Sequence, residues 1–469
     1  MPIIVMKFGG SCLTDKTSFK KILRITQIYK NEKKIYVASA MKGITDVLLK
    51  AAQNLKNTKE TDQNISLIEK RHIDIIEQIF DEESEYYIKA KDWVDIKLSE
   101  LDDAFADIKE FGLEPYYRDY ALSFGEIMST YILNQYLLSK GLDSVYVPAN
   151  KVIITNDEFN NAYPLYKLTN IRVNNLLIPL LENPKKNIII CLTGFIGRNK
   201  MGYVTTLGRG GSDYTATILA HSLYEIGTDK NIKIILWKDV DGLLAINPRY
   251  VPGASLIRNL DYNEAKHIAN FGAKILHPKC LEAIEKYNIT LEIRNFEKPL
   301  NGNFTEISDK TDKEQIKGIS AVELATIITV TSGSLVDVPG VLAQIFKIMS
   351  KKKISVSLVA QSSSEVSTSF IVNSVDSPKA VQALENAKFL SEFFTVKWND
   401  VAVINITGIK ILETKTKVEI FKALDRENIL VKAMSQSYEE LNLSIVVERK
   451  RLIDAIKIIH HDLYEKFES

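Results

Sequence analysis

A short apolar strand that runs directly into a lysine and two glycines constrains the fold of this chain more than any other feature. Residues 3–6 read IIVM, and the sequence KFGGS follows at 7–11. A segment with helical spacing comes next, and a second apolar strand at 35–38 ends in small and polar residues. Strands that alternate with helices in this way are typical of a parallel sheet covered by helices. We therefore expect an α/β fold at the start of the chain.

The α/β region is expected to extend to about residue 297, with one charge-rich interruption. Between about 55 and 115 the apolar residues recur at helical spacing, which predicts a helical excursion packed on the main body. His72 lies near that apolar stripe and is interpreted as a packed histidine. The polar segment 298–314 is interpreted as a linker. The strands predicted after the excursion are 144–147, 187–192 and 232–237.

The remainder of the chain contains an approximate internal repeat. The first unit is predicted as β-α-β-β-α-β, and the second as the same arrangement without its fourth strand. Because Ile316–Glu323 is the spare strand-like segment, we expect it to complete the second unit. The predicted domains are an α/β domain at 1–297, a first small domain at 324–399, and a second one formed by 315–323 and 400–469. Predicted strands of the repeat include 326–331, 355–361, 394–398, 401–407 and 430–436.

The composition argues against several classes of function. The chain has 469 residues and a formal net charge of +1, so its bulk charge indicates neither a nucleic-acid partner nor a membrane surface. The three cysteines, Cys12, Cys191 and Cys280, are widely spaced, which argues against disulfides and structural zinc. No apolar run reaches the length of about 18 residues that a membrane span needs. We expect a cytoplasmic protein.

The lysine and glycines after the first strand are suited to binding phosphate. Lys7 supplies a cation, and Gly9 and Gly10 let phosphate oxygens approach the backbone without a Cβ in the way. An ordinary strand-to-helix turn with a surface lysine would have the same sequence. The motif alone therefore leaves both interpretations open.

A second glycine-rich element, TTLGRGGSD at 205–213, comes immediately before a predicted helix. The N-terminus of a helix favours anions, and the planar guanidinium of Arg209 matches a carboxylate. Asp213 could instead serve only as a helix cap. A cap does not explain three glycines and an arginine in one turn, so we favour a binding site. The GxxxxGK[ST] loop and the protein-kinase motifs are absent from the sequence, so a kinase here must have another fold.

Seven motifs occur in one order along the chain: KFGGS, ASAMKGITD, SFGE, TGFIG, TTLGRGGSDYTA, KDVDG with NPR, and FGAKILHP. In this order they resemble the aspartate kinases of the amino acid kinase superfamily, and the C-terminal repeat resembles the paired ACT domains of that family. The resemblance implies an amino acid kinase fold, a mainly parallel sheet sandwiched by helices, followed by two ferredoxin-like ACT domains. It also implies transfer of the ATP γ-phosphate to the side-chain carboxylate of L-aspartate, the first step of lysine, threonine and methionine biosynthesis.

The resemblance further implies roles for individual residues. Lys7 matches the catalytic lysine, and Asp213 would organise Lys7 and the phosphoryl site. The residues implied to hold aspartate are Thr45, Glu126, Arg209 and Ser212, with Glu126 taking the α-ammonium. The residues implied to bind ATP are Lys7, Gly9, Gly10, Ser11, Ser39, Lys238, Asp239, Leu244, Arg249 and Lys274. Mg²⁺ is implied with the nucleotide, coordinated mainly by phosphate oxygens and water.

This sequence departs from the family pattern at a few of these positions. Cys12 replaces a serine, which substitutes a weaker hydrogen-bond donor. Lys238 adds a cation near the nucleotide, and it would either raise ATP affinity or point outward. Leu244 stands where the family has an aromatic residue of the adenine pocket, and Asn247 replaces an aspartate.

The ACT resemblance implies feedback control by an amino-acid effector, either lysine or threonine. The loop predicted to bind it lies before a helix of the first small domain, at Ser334, Asp337, Val338, Gly340 and Val341. Exposed strand edges on such domains favour pairing of subunits, so we expect a homodimer or homotetramer. Since the sequence stops after the second ACT unit, we expect a monofunctional kinase without a fused homoserine dehydrogenase.

Two alternatives from other classes of function stay open. The chain could be an amino-acid sensor that has lost catalysis, although Lys7, Glu126, Arg209 and Asp213 are all present. It could also be a kinase for another amino-acid carboxylate.

Overall fold

A computed structural model gives the structure of residues 2–184, 186–227, 231–271, 275–310, 316–332, 340–362, 367–388, 393–438 and 440–465. These residues divide into two units. The first comprises Met1–Leu243, Arg258–Tyr262 and Ile275–Thr311, and the second comprises Leu244–Ile257, Asn263–Lys274 and Asp312–Ser469.

The first unit is built on an eight-stranded sheet, the first sheet, flanked by a small hairpin. The strands are β1 (Ile3–Phe8), β2 (Lys33–Ala38), β3 (Ser144–Val147), β4 (Ile189–Thr193), the hairpin β5 (Ile196–Arg198) and β6 (Val204–Thr206), β7 (Ile232–Lys238), β8 (Asn259–Leu260), β9 (Thr290–Asn295) and β10 (Phe304–Ile307). Their order in the first sheet is β3-β4-β2-β1-β7-β9-β10-β8. The six strands from β3 to β9 pair in parallel, and β10 runs antiparallel to β9.

Helices surround this sheet, as the parallel pairing requires. They are α1 (Lys16–Ile28), α2 (Ile44–Gln53), α3 (Thr58–Ile79), α4 (Glu85–Phe111), α5 (Pro115–Ser139), α6 (Tyr166–Leu176), α7 (Ile178–Leu181), α8 (Gly211–Glu225) and α10 (Pro278–Glu285), while α9 (Tyr262–Phe271) belongs almost entirely to the second unit. All six residues of β1 are buried, because a central parallel strand has both faces covered. This confirms the predicted α/β fold.

The predicted helical excursion consists of α3 and α4. Asn57 and Ser84 cap their N-termini by accepting hydrogen bonds from backbone N–H groups. His72 on α3 is fully buried, its ring Nδ1 lies 2.7 Å from the carbonyl oxygen of Ile68, and burial lowers its pKa to about 4. It is a packed, neutral histidine, as predicted.

The predicted linker at 298–314 is wrong in part. Residues 304–307 form β10 and pair with β9 over four positions. Their side chains alternate, with Thr305 and Ile307 buried and Phe304 and Glu306 half-buried, which is the pattern of a strand with one covered face. The first sheet therefore extends beyond the predicted domain end at 297.

The second unit contains a six-stranded antiparallel sheet, the second sheet. Its strands are β11 (Ile316–Ser332), β12 (Val359–Gln361), β13 (Ser367–Asn373), β14 (Phe394–Gly408), β15 (Ala433–Ser435) and β16 (Asn442–Glu448), in the order β12-β13-β11-β14-β16-β15. Its helices are α11 (Val341–Lys351), α12 (Ser377–Glu385), α13 (Thr414–Arg426) and α14 (Leu452–His460).

Two strands run through both halves of the repeat. The first part of β11 pairs with the end of β14, from Ile316 opposite Gly408 to Val322 opposite Val403. The pairing shifts between Val322 and Ala325 and then continues to Ser332 opposite Phe394. The spare strand at 316–323 thus lies beside the strand at 401–407, but it is continuous with the strand at 326–331. The division of the repeat into two domains stays a prediction.

Two strands of the repeat are shorter than predicted. The strand expected at 355–361 is confined to Val359–Gln361, and the one expected at 430–436 to Ala433–Ser435. Both lie at the edges of the second sheet, where a strand has a partner on one side only. No helix in the described residues is long and apolar enough to cross a membrane.

Candidate active site

Two lysines from neighbouring strands share one carboxylate at the carboxyl end of the first sheet. Lys7 lies near the end of β1, and Lys238 is the last residue of β7, which pairs with β1 in parallel. Asp213 lies in the first turn of α8. Lys7 Nζ is 2.9 Å from Asp213 Oδ1, and Lys238 Nζ is 2.6 Å from Asp213 Oδ2. We call these three residues the charge cluster.

The charge cluster is almost closed to solvent, with the side chain of Asp213 6% exposed and that of Lys7 9% exposed. Burial raises the pKa of Asp213, but Lys238 and Lys7 together outweigh it and hold that pKa at about 2. Burial lowers the pKa of Lys7, yet the Asp213 carboxylate overcomes this and the pKa ends above its usual value. The pKa of Lys238 is lowered by burial and by Lys7, against the opposing effect of Asp213. Two cations on one anion leave a net positive charge that favours an anionic ligand.

Glycines allow the backbone to come close to this cluster. A Cβ on Gly9 would lie 3.4 Å from Lys7 Nζ, and one on Gly10 would lie 2.6 Å from the carbonyl oxygen of Ala40. A Cβ on Gly194, at the end of β4, would lie 2.6 Å from Ser212 Oγ. The ends of β1, β2 and β4 are thus packed against each other and against α8, and at Gly10 and Gly194 no larger residue fits without a shift of its neighbours.

The second glycine-rich element forms the turn into α8. Gly210 has φ of +71° and precedes the first helical residue, Gly211, and a Cβ on Gly210 would lie 2.8 Å from His277 Cβ. The cap position of α8 is Gly210, and the Asp213 carboxylate pairs with Lys7 and Lys238. The alternative that Asp213 is only a cap is therefore wrong. Arg209 is exposed and forms no hydrogen bond or ion pair with the described residues, so its guanidinium can accept a ligand.

Glu126 is a buried carboxyl group on α5. Gly125 lets this helix approach the loop after β2, since a Cβ there would lie 2.7 Å from the Cβ of Ala40. Burial raises the pKa of Glu126 to about 8, although backbone N–H groups and Lys7 act in the opposite direction. Its Oε2 atom is buried without a hydrogen-bond partner among the described residues. A buried carboxyl with an unused oxygen is suited to an ammonium ligand.

The other predicted residues of the first unit take ordinary positions around this site. Ser39 follows β2, and its carbonyl oxygen accepts a hydrogen bond from Ser129 on α5. Thr45 is the second residue of α2 and half-buried; the cap position is Gly43, so Thr45 is not a cap. Ser11 lies in a single 3₁₀ turn, Gly10–Leu13, and is half-buried.

The departures from the family pattern have different outcomes. Lys238 does not point outward, because it is held by Asp213. Asp239, next to it, is exposed. Cys12 is fully buried with Sγ 3.8 Å from the carbonyl oxygen of Trp237, and burial raises its pKa to about 12, so it is an unreactive packing residue.

Several predicted residues lie in the second unit or outside the described structure. Leu244 is half-buried and bridged to Leu256, and Arg249 is exposed, both in the second unit. Gly340 has φ of +92° and precedes α11, which begins at Val341. Lys274, Ser334, Asp337 and Val338 lie outside the described residues.

Phe195 is a neighbour of this site that motif reasoning did not single out. It has φ of +69°, which is rare for a bulky residue, and its N–H donates to Thr215 Oγ1 on α8. A Cβ on Gly211 would meet its ring at 2.7 Å. The sequence signal that could have identified Phe195 is its place in the TGFIG motif, between the end of β4 and the start of β5.

The described residues contain no cluster of three or more histidine, cysteine or acidic side chains that could hold a metal ion. Asp213 already pairs with two lysines, and Glu126 has a raised pKa. These residues do not fit a metal held by the protein itself.

The sequence matches the model of the amino acid kinase family over residues 2–295 and that of the ACT domain over 328–387 and 413–463. It is 28% identical over 470 residues to lysine-sensitive aspartokinase 3 of Escherichia coli, which covers 99% of both chains. It is also 28% identical to the bifunctional aspartokinase/homoserine dehydrogenase of Buchnera aphidicola, with 98% of this chain and 56% of that protein covered. The chain thus spans about half the length of such bifunctional relatives.

Solved structures show the same similarity. E. coli aspartokinase III in complex with aspartate and ADP aligns with a TM-score of 0.83 and 26% identity, over 98% of this chain and all of that one. The complex of the same enzyme with lysine and aspartate aligns with a TM-score of 0.78. The predicted fold and its similarity to aspartokinases are confirmed.

The charge cluster predicts that Asp213→Asn is strongly destabilising. The substitution leaves two buried ammonium groups without a counter-charge, which costs about 3–5 kcal/mol when one partner of a buried ion pair is removed. The contribution of the Asp213 carboxylate to the free energy of unfolding is fully present above its unfolded pKa of 3.8. It is lost as the pH falls toward the folded pKa of about 2. Chemical denaturation should therefore show a gap between wild type and variant at pH 7 that narrows below pH 4. Exposed Asp239→Asn is the control, and an equal loss in both variants would contradict the prediction.

Proposed function

The chain belongs to the amino acid kinase family, and from this premise we propose that it is an aspartate kinase that transfers the γ-phosphoryl group of ATP to the side-chain carboxylate of L-aspartate. The observation that carries the proposal is the charge cluster, in which Lys7 and Lys238 converge on Asp213 at the carboxyl ends of parallel strands. Ligands of α/β sheets bind at this edge. The similarity to aspartokinases supports aspartate as the acceptor.

The reaction needs charge stabilisation more than proton transfer. A carboxylate oxygen of aspartate forms a bond to the γ-phosphorus, and the bond from that phosphorus to the β,γ-bridging oxygen breaks, so that the electron pair leaves with ADP. The nucleophile is already ionised, so no general base is required. The products are 4-phospho-L-aspartate and ADP.

The two lysines supply the stabilising charge. Lys7 contacts the equatorial oxygens of the γ-phosphoryl group, and Lys238 neutralises charge on the phosphates beside it. Asp213 keeps both ammonium groups in place and charged, because without it burial would favour their neutral forms. Asp213 is therefore an organising residue and not a base.

The acceptor amino acid is held at its α-ammonium and at a carboxylate. Glu126 binds the α-ammonium through its unused Oε2, and exposed Arg209 binds a carboxylate through two N–H donors. Ser212, against Gly194, and Thr45, on the first turn of α2, supply hydroxyl groups to the same ligand.

The nucleotide is placed by the strand ends. Gly9, Gly10, Ser11 and Ser39 surround its phosphates, since all four follow directly after the carboxyl ends of β1 and β2. For Asp239, Leu244, Arg249 and Lys274 the nucleotide role rests on the family resemblance alone. Mg²⁺ belongs to the proposal as an ion that arrives with ATP, and no protein ligand is assigned to it.

Aspartate-dependent release of ADP tests this function directly. With ATP present, a coupled assay should show turnover with L-aspartate and little with L-glutamate or N-acetylglutamate. Lys7→Ala should lower kcat by about 10²–10³ or more, because it removes a charge from the transition state. Exposed Lys20→Ala should keep normal turnover. No ADP release with aspartate, together with binding of amino acids, would instead favour a catalytically inactive sensor.

The raised pKa of Glu126 predicts a pH-dependent affinity for aspartate. With a pKa of about 8 in the free protein, about one tenth of the molecules carry the ionised form at pH 7. Because an ammonium ligand prefers the carboxylate, aspartate binding must release a proton from Glu126. The KM for aspartate should therefore fall about 25-fold between pH 6.5 and 8.5, with a smaller change in kcat.

The matched variant for this prediction is Glu126→Gln, which cannot ionise. It should have a high KM for aspartate that changes little over the same pH range, whereas exposed Glu110→Gln should follow the wild type. A pH-independent KM in the wild type would contradict the assigned role of Glu126.

We propose further that the ACT repeat makes this kinase sensitive to an amino-acid effector, with lysine favoured by the similarity to the lysine-bound E. coli enzyme. Turnover measured with added lysine, threonine or both should fall with lysine, and analytical ultracentrifugation should show a homodimer or homotetramer. Unchanged turnover with either amino acid would contradict the regulatory proposal and leave the catalytic one intact.

A further inference from the structure

Asp119 is a buried carboxylate that the chemistry above does not use. It lies near the start of α5, its side chain is fully buried, and no ion pair with it is formed in the described part of the chain. Burying a charge without a pair is costly unless hydrogen bonds compensate for the loss of water. The hydrogen bonds of Asp119 therefore have to compensate for its burial.

Its bonds connect two distant segments to α5. Asp119 Oδ2 accepts a hydrogen bond from the N–H of Asn160 at 2.8 Å and another from the N–H of Thr206 at 2.7 Å. Asn160 belongs to the loop before α6, and Thr206 is the last residue of β6. Three elements therefore meet on one carboxylate oxygen.

The loop at Asn160 is fixed in a conformation that needs support. Asn160 has φ of +66°, and Arg118 Nη2 donates to its side-chain Oδ1 at 2.6 Å. Gly208 packs directly on it, because a Cβ on Gly208 would lie 2.8 Å from the carbonyl oxygen of Asn160. The loop thus sets the position at which the glycine-rich turn begins.

These elements position Glu126 and Arg209, the two residues proposed to bind the acceptor amino acid. Glu126 follows Asp119 by seven residues, which is two turns or about 10.5 Å along the same face of α5. Arg209 follows Thr206 by three residues, within the glycine-rich turn. In contrast, Lys7 and Lys238 lie on β1 and β7, to which Asp119 makes no hydrogen bond.

We propose that Asp119, with Arg118, Asn160 and Thr206, is a positioning latch that sets the spacing between Glu126 and Arg209 and thereby the length of amino acid that the enzyme accepts. This inference rests on the proposed function. Aspartate and glutamate differ by one methylene group, which a binding site discriminates by about 10–200-fold. The backbone groups of the two amino acids are identical, so in this proposal Arg209 takes the side-chain carboxylate. A fixed distance from Glu126 to Arg209 then fits one side-chain length and supplies the discrimination.

Steady-state kinetics of Asp119→Ala test the latch. We expect the KM for aspartate to rise at least tenfold, the KM for ATP to stay within twofold, and kcat at saturating aspartate to stay within threefold. The preference for aspartate over glutamate in kcat/KM should fall at least fivefold. Asp119→Asn should restore values close to the wild type, because its amide oxygen accepts both N–H bonds.

The control is Glu292→Gln, which alters another buried carboxylate of the first unit, one paired with Lys233 and Arg294. It should change thermal stability without changing the KM for aspartate. Should Asp119→Ala not fold, Arg118→Ala, which removes the bond to the Asn160 side chain, should raise the KM for aspartate at least threefold. Equal changes in both KM values, or no change in the KM for aspartate, would overturn the latch. Absence of turnover in the wild type would instead overturn the proposed function.

Discussion

Asp213 holds two ammonium groups in the nearly closed end of the first sheet, and much of the surrounding structure serves that contact. Lys7 and Lys238 come from strands that are more than 200 residues apart in sequence and adjacent in the sheet, so the parallel pairing of β1 and β7 is what brings them together. The first turn of α8 must then reach both, which requires the left-handed Gly210 before it. Cations with only one buried counter-ion keep an affinity for anions, and this is the property on which phosphoryl transfer depends.

The motifs predicted the parts of this site better than they predicted their arrangement. Lys7 and the glycines predict a phosphate site, because the cation attracts phosphate and glycines let its oxygens approach the backbone at the strand end. That Lys238 would share Asp213 with Lys7 could not be read from the sequence, since it depends on the pairing of distant strands. The contacts of Asp119 were missed for the same reason, because its partners are backbone N–H groups that no side-chain pattern reveals.

The fold shows the same division between local and distant information. Largely buried strands such as β7 match their apolar runs, whereas β10 lies in a polar segment and is a strand because β9 pairs with it. The edge strands β12 and β15 are shorter than their sequence suggests, since the hydrophobic pattern does not report how far a partner extends. Tertiary context decides such cases over local propensity.

The long strands of the second unit have a consequence for protein synthesis. Residues 316–322 pair with 403–408, so about 80 further residues must be synthesised before the partner of this segment exists. At about 5–20 residues per second on the ribosome, the wait lasts roughly 4–16 s. During this time the N–H and C=O groups of the nascent segment are unpaired and can pair with another nascent chain of the same sequence.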